Sequence, residues 1–259
     1  MTFNNLSYSY DNYVISYLKE GKRMLEQMIK VAVFGDSILK GIQINPVNKK
    51  YYVNNNIDTE ILSKKYPIQI QNYSSFGCTV KKGSDLLKKR LEKNIGCDVI
   101  IMDYGGNDCD YNWKAISENP AGNHVPNTPI ELFYEIYCGV IDTLKKKNIL
   151  PILTTLPPLE PQRFFDWFCG NLNKKNILMW LGDISKIYIH QESYSRVIEK
   201  IALETQVPLI DLRGAFLKAG NVKDLLCEDG THPNTSGQRI IASTFDKFVK
   251  EFVGARYRF

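Results

Sequence analysis

The chain reads as an α/β protein: a three-layer α/β/α domain on a central, mainly parallel five-stranded sheet. Three observations lead there. Short apolar runs rich in β-branched residues alternate with longer segments of helical period, the pattern of a parallel sheet covered on both faces. Polar, mostly glycine-bearing loops follow the ends of several of these runs. At 259 residues, 44% hydrophobic and 24% charged, the composition is that of an ordinary globular chain. Such a chain buries roughly 70–75% of its unfolded surface and needs no covalent staple.

Residues 1–29 form a polar opening rich in Tyr and Asn, with an amphipathic helix expected over Tyr13 to Ile29. They read as an extension packing on the domain that fills residues 30–259. Strands are expected at Val31 to Phe34, Ile68 to Asn72, Val99 to Tyr104, Leu150 to Thr155 and Pro208 to Asp211. Helices are expected at Ser84 to Lys93, Ile130 to Lys147, Ser193 to Thr205 and Ser236 to Phe252. Right-handed crossovers place those helices on the faces of one sheet. One segment, Pro157 to His190, lacks a strand-like run and carries Phe164, Phe165, Trp167, Phe168, Met179 and Trp180. It reads as an aromatic helical insertion after the fourth strand. There it could form an acyl groove or a lid, pack as core, or present a surface for a homo-oligomer.

The formal charge of +5 sits in short lysine runs such as Lys145-Lys146-Lys147. These read as solvated helix faces, and with no nucleic-acid reading motif beside them, nucleic acid is not an expected partner. A mild preference for anionic substrates stays open. Six cysteines without a C-x-x-C pair, and no apolar core of a signal peptide, point to a reduced, cytoplasmic protein. No stretch reaches the roughly 20 apolar residues of a membrane span, so integral membrane contact is not expected.

Ligands of an open parallel sheet bind beyond the carboxyl ends of its strands, so the strand exits are where chemistry is sought. The first exit, Gly35-Asp36-Ser37-Ile38-Leu39, puts Ser37 at the expected start of a helix. Ser37 is there either an N-cap or a nucleophile whose developing anion meets backbone N–H groups. No G-x-S-x-G elbow occurs. The second exit carries Gly77, whose N–H could face a ligand oxygen or which simply makes a turn. The third, Gly105-Gly106-Asn107-Asp108, offers the Asn107 amide to an oxyanion, though it is also good turn chemistry. The last loop, Asp229-Gly230-Thr231-His232-Pro233-Asn234, pairs an imidazole with a carboxylate, which is how a serine is activated. Its alternatives are a capping loop or a metal site drawing further ligands from Asp108 or Asp36, although no recognised metal spacing is present.

These blocks, in this order from Val31 to about Gly237, resemble the SGNH hydrolases, the GDSL-like lipase/acylhydrolase superfamily. The signature residues correspond to Ser37, Gly77, Asn107 and His232. The resemblance implies a flavodoxin-like fold and catalysis by Ser37, Asp229 and His232 without metal or cofactor. It also implies an oxyanion hole made of the Ser37 N–H, the Gly77 N–H and the Asn107 side chain. By the same analogy the substrate is a carboxylic ester, in the first place a short-chain acyl, such as acetyl, ester of a carbohydrate or small molecule. Lysophospholipase- or thioesterase-like hydrolysis of longer acyl chains is the alternative, and a non-catalytic binding module is the reading from another class.

Overall fold

Where the sequence places its apolar runs, the chain forms strands. The computed structural model describes residues 28–54 and 59–256. In chain order the elements are β1 (Ile29–Gly35), β2 (Ile42–Ile44), β3 (Tyr51–Val53), α1 (Thr59–Lys65), β4 (Ile68–Asn72), α2 (Val80–Glu92), β5 (Val99–Asp103) and α3 (Trp113–Glu118). There follow α4 (Ile130–Lys146), β6 (Leu150–Thr154), α5 (Pro161–Cys169), α6 (Lys174–Leu181), α7 (Ser185–Thr205), β7 (Leu209–Ile210), α8 (Leu212–Lys218) and α9 (Thr235–Arg256). A 3₁₀ turn at Val222–Leu225 joins the last two.

Five strands form one parallel sheet in the order β4-β1-β5-β6-β7, which is the flavodoxin-like order 2-1-3-4-5. Its strands are buried on both faces because their apolar residues are nearly continuous and successive side chains point to opposite sides. Ala32, Phe34, Ile100, Met102 and Leu153 face one layer, where α4 contributes the stripe Phe133, Tyr137, Ile141 and Leu144. Val31, Val33, Val99, Ile101 and Ile152 face the other, against Leu212 and Phe216 of α8 and Ile241 and Phe245 of α9. Each fully buried Val, Leu, Ile, Phe or Met side chain among them contributes about 1.5–3 kcal/mol, so the strand β1 that precedes Ser37 is held from both sides.

Several differences from expectation lie at element ends. Ile29 pairs with Ile68 in β1 rather than ending a helix, and the rest of the expected Tyr13–Ile29 helix, with the packing of the N-terminal extension, falls outside the described residues. Helix α2 starts at Val80 instead of Ser84, because Thr79 caps it and the Asp108 carboxylate accepts the Val80 N–H at 3.0 Å. Helix α7 starts at Ser185 instead of Ser193, where Asp183 Oδ1 accepts the Ser185 N–H at 2.8 Å. The antiparallel hairpin β2–β3 was not expected at all. Residues 157–190 hold α5, α6 and the first turns of α7, and they share a third apolar cluster with α3: Trp113, Ile116, Leu159, Phe165, Ile177 and Leu181.

Candidate active site

The exits of β1 and β5 lie side by side at the point where the sheet's connections change direction, which is where such sheets hold ligands. Ser37 follows β1, but no helix begins there, contrary to the sequence expectation. The chain makes one turn, with Lys40 N–H donating to Asp36 O at 3.1 Å and Ile42 N–H to Ser37 O at 3.0 Å, and enters β2 directly. Gly41, at φ +76°, ends the turn and Ile42-Gln43-Ile44 continue as strand. No helix dipole therefore supports Ser37.

Ser37 Oγ lies 2.9 Å from His232 Nε2. On the far side of the ring, Nδ1 is hydrogen-bonded to Asp229 Oδ2. The other carboxylate oxygen of Asp229 accepts the N–H groups of Thr231 and His232, both at 3.1 Å. Burial by itself raises the Asp229 carboxyl, but the hydrogen bond and charge of His232 with these N–H groups outweigh it and hold the group below the usual carboxylate range. All three residues are buried, so their hydrogen bonds act in a medium of low dielectric.

Asn107 follows β5 as expected, but its amide does not lie free across the crevice. Its Nδ2 donates to Asp36 Oδ2 at 2.9 Å and approaches Cys78 O at 3.4 Å. Asp36 uses its other oxygen to accept the Ile38 N–H at 2.8 Å, which ties the turn that carries Ser37 to the loop that carries Asn107. Gly77 adopts φ +66°, a conformation open to glycine at no steric cost. Among the described residues neither the Ser37 N–H nor the Gly77 N–H donates a hydrogen bond. Beneath this layer sit three buried acids. Burial and the neighbouring Asp103 push Asp36 well above the carboxylate range, and burial pushes Asp103 and Asp108 up to about 6.

Two residues at the site escaped the sequence. The ring of Phe76 stacks on that of His232, centroids 6.0 Å apart and 6° between planes, and Tyr51 of β3 meets the same imidazole edge-on at 5.2 Å. The Tyr51 hydroxyl accepts from Trp167 Nε1 at 2.9 Å and donates toward Asp229 Oδ2 at 3.5 Å. Burial, then the Asp229 charge, pushes the Tyr51 phenol up to about 12. The Asn45-Pro46 turn between Ile42-Gln43-Ile44 and Tyr51-Tyr52-Val53 was the available signal for this hairpin.

A cavity of about 610 Å³ opens beside Ser37 and His232. Phe164, Trp167 and Trp180 of the insertion line it, whereas Phe165 is buried in the third cluster, Phe168 stacks on Trp113 at 4.0 Å and Met179 is exposed. Among the described residues no group of three or more His, Cys, Asp or Glu side chains is arranged to hold a metal ion, no helix is long and apolar enough to cross a membrane, and the six cysteines are free.

A hydroxyl, an imidazole and a carboxylate in hydrogen-bonded series at the carboxyl edge of a doubly covered parallel sheet is the arrangement found in Ser-His-Asp hydrolases. The model of the GDSL-like lipase/acylhydrolase family matches residues 33–240, and the chain belongs to that family as an ester-bond hydrolase. CPRD49, a GDSL esterase/lipase of Arabidopsis thaliana, is 21% identical over 195 residues, covering 74% of this chain and 70% of that protein. The lipase/acylhydrolase from Enterococcus faecalis has a similar fold, with a TM-score of 0.59 at 18% identity over 86% of this chain and 96% of the other. The acetyl xylan esterase AlAXEase gives a TM-score of 0.54 at 25% identity over 85% and 100%.

Proposed function

We propose that the chain hydrolyses carboxylic esters through an acyl-enzyme on Ser37. The observation that carries this reading is the series Ser37–His232–Asp229, with 2.9 Å between Oγ and Nε2. His232 takes the Ser37 proton as Oγ attacks the acyl carbon, then passes it to the leaving alcohol; water activated by His232 releases the acid. Asp229, held ionised, fixes the imidazole tautomer and steadies its positive charge. The unengaged N–H groups of Ser37 and Gly77, joined by the Asn107 amide that Asp36 orients, are the donors proposed for the tetrahedral oxyanion.

The proposed substrate is a short-chain acyl ester, in the first place an acetyl ester of a carbohydrate or small molecule. Similarity to a protein described as an acetyl xylan esterase supports it. Esters of longer acyl chains form the second reading, favoured by the apolar wall that Leu159, Trp180, Leu181 and Ile187 give the cavity. A cytoplasmic location belongs to the same proposal and is supported by the six free cysteines. The test is turnover of p-nitrophenyl acetate and p-nitrophenyl decanoate by wild type and Ser37→Ala. Loss of about 10⁴-fold or more in Ser37→Ala is expected; equal rates in the two proteins would defeat the mechanism, and a strong preference for decanoate would defeat the acetyl reading.

A further inference from the structure

His190 lies in the first turns of α7, outside every motif used so far, yet it lines the cavity that opens on Ser37. Its ring lies against Tyr111 at 5.0 Å and meets Tyr194 edge-on at 5.3 Å. Its Nε2 is buried and has no hydrogen-bond partner among the described residues. Folded proteins leave few buried polar side-chain atoms unpaired, because nothing replaces the water such an atom has lost. His190 lines a ligand cavity, so the simplest missing partner is the ligand, reached by a small turn of the ring that opens the covered Nε2.

We propose that His190 is a specificity-determining residue, whose Nε2 hydrogen-bonds a hydroxyl of a neutral, hydroxylated ring in the alcohol part of the ester. This rests on the ester-hydrolase reading of the Ser37 site and deepens it.

Three features choose that chemistry. Burial lowers the His190 pKa, so the imidazole is neutral; because its hydrogen bond to the Cys109 backbone carbonyl needs the Nδ1 proton, Nε2 carries none and accepts. A hydroxyl donates to it; a carbonyl or an ether, which only accepts, does not. Beside His190, Tyr111 packs edge-on to Trp180 at 4.9 Å and to Trp113 at 5.7 Å, an aromatic wall suited to the C–H faces of a saturated ring. The acidic residues lining the cavity are Asp36, which burial keeps protonated, Asp103, Asp110 and Asp229, and the basic one is Lys186. With Asp229 held ionised and the other acids able to lose a proton but not gain a positive charge, the cavity disfavours an anionic group, against the mild anionic preference that the overall charge of the chain suggests. A site built to bond a hydroxyl discriminates strongly against the analogue that lacks it, because its own polar atom is then left bare.

The experiment measures kcat/KM of the full chain on a monoacetylated methyl glucopyranoside and on cyclohexyl acetate, which presents a ring of the same size without hydroxyls. In wild type the ratio favours the sugar ester. His190→Phe lowers that ratio at least tenfold, and His190→Gln, which keeps a polar atom near the position of Nε2, restores it to within about threefold. A wild type that prefers cyclohexyl acetate, or a ratio within twofold of wild type in His190→Phe, overturns the proposal while leaving Ser37-dependent hydrolysis standing. Failure of the underlying reading shows differently: neither ester is turned over, or Ser37→Ala turns both over as wild type does, and the inference falls with it.

Discussion

Asp36 stands next to Ser37 in the chain and beside Asn107 in space, and through its two oxygens it couples the β1 and β5 loops. With one Asn107 Nδ2 proton fixed on Asp36, the other, in only a 3.4 Å contact with Cys78 O, turns to the oxyanion with a small adjustment, so the donor is largely preorganised. Asn107→Ala is therefore expected to lower kcat about 10²–10³-fold with KM little changed; steady-state kinetics on p-nitrophenyl acetate checks it, and a loss confined to KM would remove Asn107 from the oxyanion site. Phe76 acts on the other side of the reaction. Stacked on His232, it holds the ring plane, an aromatic contact worth about 0.5–1.5 kcal/mol. Phe76→Leu should cost roughly 2- to 10-fold in kcat, with the protein still folded by circular dichroism; an unchanged kcat would make the stacking incidental.

At the scale of elements, the loop between the 3₁₀ turn and α9 delivers Asp229 and His232 by docking on the start of α5. The Glu160 N–H donates to Gly230 O at 2.8 Å. Gly230 sits at φ +72°, and a Cβ there would lie 2.5 Å from Glu160 O and 2.8 Å from Phe164 N. Gly230→Ala combines a left-handed backbone penalty of about 1–2 kcal/mol with that clash, so it is expected to lower the urea midpoint and, by moving the loop, to lower kcat at temperatures where the protein remains folded. Full activity in a folded Gly230→Ala variant would show that the loop position does not govern the site. The hairpin β2–β3 and the insertion meet over the same loop through Trp167, Tyr51 and Asp229. These small elements shape the rim of a site whose base is the sheet.

In the whole molecule, the buried acids below the site set a pH dependence of stability. Burial lifts Asp103 and Asp108 to about 6, so the folded protein holds their protons more tightly than the unfolded chain, whose value is about 3.9. Their stabilising contribution is present below about pH 4 and is lost as pH rises through about 6. Asp103→Asn stays neutral throughout, so its urea midpoint relative to wild type should rise between pH 4 and pH 7; a difference independent of pH would refute the assignment. The sheet and its covering helices were legible in the amino-acid sequence because side-chain alternation in strands and the 3.6-residue period in helices are imposed locally by backbone geometry. The loops bearing Ser37, Gly77, Asn107 and His232 were legible because glycine, asparagine and proline mark turns wherever they stand. Strands as short as Ile42–Ile44 and Tyr51–Val53 carry too few residues to show a period, so the hairpin and Tyr51 were not. The sequence by itself determined the fold class and which residue types lie at the sheet's carboxyl edge. Tertiary structure alone decided that Ser37 and His232, 195 residues apart, come within 2.9 Å, that Asp36 takes the Asn107 amide, and that His190 joins the cavity. Those contacts depend on how separate elements pack on one sheet, and no local period records that.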